Sequence, residues 1–180
     1  LGYALFGDSK GKPLFYFHGW PTSRLQAQVA DASAKKLKKR IISVDRPGYG
    51  LSDFKKNRTL LDWPDDVLQL ADQLKINKFA IMGVSGGGPY AAVCAYKIQK
   101  RLTKVEIVVG LAPTYIPGLL DRMSWLSRFG WKNYPRFSIA RTIGAWLNFF
   151  YARYSPGLGL NRFLFSAKAD RELYSDPKIR

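Results

Sequence analysis

The apolar run Phe79-Ala80-Ile81-Met82 passes directly into Gly83-Val84-Ser85-Gly86-Gly87, and a helix-forming stretch follows from Gly87 to Arg101. A strand that turns sharply into a helix needs glycines where side chains would clash. Such a turn holds its central serine in a strained conformation, with the hydroxyl exposed at the end of a sheet. The start of the following helix favours developing negative charge. Small residues also cluster by chance, so the alternative is a tight glycine turn with an incidental serine. The strand before and the helix after it favour the first reading, with Ser85 as the candidate nucleophile.

The rest of residues 1–112 fits a sheet that would carry such a turn. A strand-like run opens the chain from Leu1 to Phe6, and Pro13 to Phe17, Ile41 to Val44 and Val105 to Val109 read as further strands. Arg24 to Lys38 reads as a helix with Leu25, Val29, Ala32 and Leu37 near one face, and with Lys35, Lys36, Lys38 and Lys39 crowding its end. A second helix begins at Asp62. It has Pro64 in its first turn and Val67, Leu70, Ala71 and Leu74 at helical spacing. Continuous apolar strands that alternate with helices predict an α/β fold: a mostly parallel sheet with helices on both faces.

The pattern changes after Pro113. Aromatic residues (Trp125, Phe129, Trp131, Phe137, Trp146, Phe149, Phe150, Tyr154) interleave with Arg122, Arg128, Arg136, Arg141 and Arg153, with no strand signals. Residues 113–180 are expected to form a helical cap or lid region packed on or over the sheet. The formal net charge is +16. No nucleic-acid-binding motif accompanies it, so the charge reads as a solvated basic surface and no nucleic-acid partner is expected. The apolar stretches are too short to span a membrane and no leader is visible, so a cytoplasmic location is expected and a membrane partner is set aside. Cys94 is the single cysteine, which excludes an internal disulfide, and it reads as a small buried residue in the helix after Ser85. With no histidine or cysteine cluster, no metal or other cofactor is implied.

A tetrahedral oxyanion needs at least two hydrogen-bond donors. One candidate is the backbone N–H of Gly86, directly after Ser85. The other is the N–H of Trp20 in the loop His18-Gly19-Trp20-Pro21, since Pro21 has none. Trp20 would also place an aromatic side chain beside a substrate. The His18 side chain reads as hydrogen-bonded to backbone in preference to acting directly. Asp45-Arg46-Pro47-Gly48-Tyr49-Gly50 reads as a structural turn on the same rim of the sheet.

These three loops, in this order and setting, resemble the α/β-hydrolase superfamily over about Leu1 to Pro113, and the stretch after it resembles the helical cap that many members carry. The resemblance implies a serine hydrolase, esterase-like, acting on a small apolar substrate. The His-Gly-Trp-Pro loop is similar to that of epoxide hydrolases, but those relatives carry aspartate where this chain has Ser85.

The family pattern then breaks. In the family the acid and the histidine follow the serine. Here the only histidine is His18, which precedes Ser85, and Leu111-Ala112-Pro113 after the fourth long strand offers no carboxylate. The expectation is a chain missing the C-terminal part of its core. It would be inactive alone, with the acid and histidine supplied from sequence beyond it. An exposed sheet edge would then be covered by that missing half, by a complementary chain or by a second copy of this one. A non-catalytic ligand-binding module and a peripheral membrane lipase are the other readings.

Overall fold

The computed structural model describes residues 1–121, 123–133, 142–143, 146–147, 149–150 and 153–154. The chain divides into two compact units, Leu1–Ala112 and Pro113–Arg180. The first holds a five-stranded sheet built from β1 (Tyr3–Gly7), β2 (Lys12–Phe17), β3 (Lys39–Val44), β4 (Phe79–Val84) and β5 (Leu102–Val108). Its strand order is β1-β3-β2-β4-β5. β1 runs antiparallel to β3, and the other pairs are parallel.

Period-two alternation sorts the side chains of each strand onto two faces. Phe15, Phe17, Ile42, Val44, Phe79 and Ile81 form one core with Trp63, Val67, Leu70 and Ala71 of α2 (Trp63–Gln73). Ala91 and Cys94 of the helix Gly88–Lys97 join the same core. Trp63 is fully buried and meets Phe17 edge-on at 5.1 Å and Tyr90 at 5.3 Å between ring centroids. Tyr16, Ala27, Ala34 and Ile41 form a smaller core on the opposite face. The expected mostly parallel sheet with helices on both faces is thus present.

One expectation changes. Residues Arg24 to Lys38 are not a single helix. A 3-10 helix, Arg24–Ala30, is capped by the Ser23 side chain and leads into the short α1 (Asp31–Lys36). The tighter 3-10 winding rotates the inward face. Ala27 and Ala34 are buried, while Leu25, Val29, Ala32 and Leu37 are exposed. Lys38 turns the chain in the left-handed region and Lys39 opens β3, so only Lys35 and Lys36 lie in the last turn of α1. Two strand bounds also move: β5 begins three residues before Val105, and β1 extends to Gly7.

The helix after β4 is likewise divided. A 3-10 turn, Ser85–Gly87, precedes α3 (Gly88–Lys97), and a second 3-10 turn, Gln99–Arg101, follows it. In the second unit, α4 (Trp125–Asn133) is described. Trp146, Phe149, Phe150 and Tyr154 contact one another through their rings. Arg122, Arg136, Phe137, Arg141 and the segment from Ala169 to Arg180 lie outside the described residues. No helix among the described residues is long and apolar enough to cross a membrane.

Candidate active site

Register brings the three loops to one rim. Phe17 on β2 lies opposite Val44 on β3 and Gly83 on β4, and Val84 lies opposite Val108 on β5. The four parallel strands therefore end together. The loop after β2 leaves between the loop after β3 and the turn after β4. Crevices outside the carboxyl ends of such strands are where ligands bind in open α/β sheets.

Ser85 sits at the end of β4 with φ +50°, in the left-handed region that a non-glycine residue rarely occupies. Two glycines permit this turn by close approach. A Cβ at Gly87 would lie 2.1 Å from the Phe17 carbonyl oxygen, and one at Gly83 would lie 2.5 Å from the Gly87 oxygen. Only glycine lets the helix N-terminus fold back this tightly onto β2 and β4. Ser85 is partly exposed.

Gly19, Trp20, Ser85 and Gly86 converge at this point. A Cβ at Gly19 would lie 3.4 Å from the Ser85 Cβ, and one at Gly86 would lie 3.3 Å from the Trp20 nitrogen. The sequence-predicted residues are therefore neighbours. Gly86 stands in the first turn of a helix, where its N–H has no intrahelical acceptor. Trp20 is 55% exposed, as an aromatic wall beside a ligand would be.

His18 is fully buried, and both ring nitrogens are taken. Nδ1 donates to the Gly19 carbonyl at 2.8 Å, and Nε2 accepts the Arg46 backbone N–H at 3.2 Å. This pattern fixes one neutral tautomer. Burial lowers the pKa of the ring to about 4, opposed by its bond to Gly19 and reinforced by the charge of Arg46. The only histidine in the sequence thus has no nitrogen free to take a proton from Ser85.

Asp45 is fully buried beneath its turn. Its carboxylate accepts the Arg24 N–H at 2.7 Å, the Arg24 guanidinium at 2.6 Å and the Leu51 N–H at 2.9 Å. Burial pushes its pKa up, but these bonds outweigh that and the net shift is down. The structural role expected of Asp45 holds. Arg46 is more than a turn residue. Its guanidinium donates to the Gly86 carbonyl at 3.2 Å and to the Gly19 carbonyl at 2.9 Å, and it lies over the rings of Tyr49 and Tyr90. An arginine in a Pro/Gly turn at the rim was the available signal, but nothing in the sequence marked it as buried. Cys94 is buried in α3, and burial raises its thiol pKa to about 12, so it carries no thiolate.

The family model described as the alpha/beta hydrolase fold matches residues 12–173. The chain belongs to this family. It is 33% identical over 118 residues to the pimeloyl-[acyl-carrier protein] methyl ester esterase of Legionella pneumophila (strain Corby), an overlap of 64% of this chain and 43% of that protein. It is 31% identical over 112 residues to an sn-1-specific diacylglycerol lipase of Xenopus laevis, covering 59% of this chain and 36% of that one. Among solved structures, an esterase from Thermogutta terrifontis superimposes with a TM-score of 0.54 at 25% identity, over 64% of this chain and 42% of that one. The chain thus spans less than half the length of the curated relatives it matches. The relatives it resembles thus include esterases and a lipase.

Proposed function

We propose that this chain is part of a serine hydrolase that cleaves an ester-like bond in a small apolar substrate. Ser85 attacks the carbonyl carbon, and the N–H groups of Gly86 and Trp20 receive the oxygen as it becomes negative. Trp20 also lines the acyl or alcohol site. The carrying observation is the strained Ser85, at φ +50°, beside the Gly86 and Trp20 backbone. Both ring nitrogens of His18 are engaged, so the base that activates Ser85 and the acid that orients it come from sequence outside residues 1–180. This is consistent with the match covering only 43% of the Legionella pneumophila relative. In this reading residues 1–180 alone do not turn over substrate.

The experiment is to treat the full-length protein with a fluorophosphonate and to locate the modified residue by mass spectrometry. Modification at Ser85, lost in Ser85→Ala, is the expected result. A folded full-length protein with an unmodified Ser85 overturns the reading. It would favour a non-catalytic ligand-binding module, for which the engagement of the one histidine is the supporting observation.

A further inference from the structure

Arg46 carries a buried charge with no acid partner among the described residues. It is 5% exposed and takes part in none of their ion pairs, and the carboxylate next to it in sequence, Asp45, is committed to Arg24 and Leu51. Burying a guanidinium without a carboxylate is costly, and here its Nε also lacks an acceptor. Its other donors reach two backbone carbonyls far apart in sequence, Gly19 and Gly86. These belong to the two segments that carry the proposed oxyanion donors. The Gly19 carbonyl has two further donors, His18 Nδ1 at 2.8 Å and Thr22 Oγ1 at 3.1 Å. In a trans peptide the carbonyl and the following N–H point in opposite directions. Three donors on the Gly19 oxygen therefore fix the direction of the Trp20 N–H, and the second arm of Arg46 holds the Gly86 segment beside it.

We infer that Arg46, with Thr22 and His18, is a positioning clamp that aligns the Trp20 and Gly86 N–H groups for a developing oxyanion. The inference rests on the serine-hydrolase reading above. Arg46 touches no reacting atom and acts through the two peptides it joins. Its planar fork can span two carbonyls, whereas a lysine ammonium offers one compact charge on a flexible stem. Its unneutralised charge favours negative charge nearby, which appears only as the carbonyl is attacked.

The test compares wild type, Arg46→Lys and Thr22→Val in the full-length protein. It reads kcat and KM for p-nitrophenyl butyrate, the inhibition constant of butylboronic acid, and Tm. Fluorophosphonate modification of wild-type Ser85 is confirmed first. Its absence sinks the hydrolase reading, whereas its presence lets the two variants decide the clamp separately. Arg46→Lys is expected to lower kcat by about 100-fold with KM within about two-fold, and to weaken the boronic acid in step with kcat/KM. A merely structural role would lower Tm and the amount of active enzyme, and leave the inhibition constant of the active fraction unchanged. That result overturns the clamp. Should Arg46→Lys not fold, Thr22→Val decides. A loss in kcat of about 5-fold, with unchanged Tm and parallel weakening of the boronic acid, supports the clamp, and an unchanged kcat and inhibition constant overturn it.

Discussion

The imidazole of His18 accepts the backbone N–H of Arg46 through Nε2 at 3.2 Å, which only the neutral ring can do while Nδ1 donates to Gly19. Protonation breaks this bond and places a cation in a buried site that already holds the guanidinium of Arg46. Burial is the main reason that the pKa of the ring lies at about 4 against an ordinary 6.5, and the charge of Arg46 adds to it.

The pH dependence follows with a definite sign. Between pH 6.5 and about 4 the unfolded chain protonates His18 and the folded chain does not. The unfolded state binds more protons, so stability rises with pH across this window and falls as the solution is acidified. The loss is on the order of 3 kcal/mol by pH 4. Urea midpoints measured from pH 7 down to pH 4 should decline steadily. In His18→Asn, whose side chain does not titrate, that decline should be absent; an equal slope in both proteins would refute the assignment.

Ser85 at φ +50° predicts a trade between stability and chemistry. Left-handed backbone costs a serine about 1–2 kcal/mol, which glycine avoids, while glycine's extra freedom in the unfolded chain takes back about 0.5–1 kcal/mol. Ser85→Gly should therefore gain about 0.5 kcal/mol in denaturant unfolding, and in the full-length protein it should lose fluorophosphonate modification altogether. A destabilised Ser85→Gly would mean that the serine side chain makes a stabilising contact outweighing the backbone strain.

The strands and the turn after β4 were legible because their signals are local. Leu14 to Phe17 and Phe79 to Met82 are continuous apolar runs, and β2 and β4 contain them. The Ser85 turn was legible because its glycines stand where a Cβ would strike the Phe17 and Gly87 oxygens. The segment from Arg24 to Ala30 was not. Its leucine and valine suggested an inward stripe of period 3.6, but a 3-10 helix, fixed at its start by the bonds of Arg24 to Asp45, turns the alanine at 27 inward instead. Arg46 was missed for a different reason. Its partners are carbonyls 27 and 40 residues away, and a side chain that binds distant backbone leaves no pattern in sequence.

Asp45 predicts a second loss of stability at lower pH. Its pKa is depressed, so its contribution is complete above the ordinary carboxylate value and disappears as pH falls through the lower folded one. Asp45→Asn removes the charge that faces the Arg24 guanidinium at 2.6 Å and gives one of the acceptor positions an amide. A cost of about 2 kcal/mol at pH 7 is expected, below that of a fully buried pair because Arg24 is partly exposed. The difference from wild type should shrink below pH 4. A difference that stays constant with pH would show that packing, and not charge, holds the turn.

Gly87 gives the sharpest steric prediction. Its Cβ position is 2.1 Å from the Phe17 oxygen, 2.7 Å from the Phe17 carbonyl carbon and 3.0 Å from the His18 oxygen, all backbone atoms that no side-chain rotation can relieve. Gly87→Ala must therefore push the start of α3 away from the end of β2, and with it the Gly86 segment away from Trp20. A destabilisation of about 3 kcal/mol is expected, measured by chemical denaturation. Gly118→Ala is the control. Gly118, unlike Gly87, has positive φ, +82°, but its nearest would-be contact is at 3.8 Å, so its cost is limited to backbone strain of about 1 kcal/mol. Equal costs at the two positions would mean that the loop after β2 yields freely. A loop that yields freely could not hold the Trp20 N–H in place for catalysis.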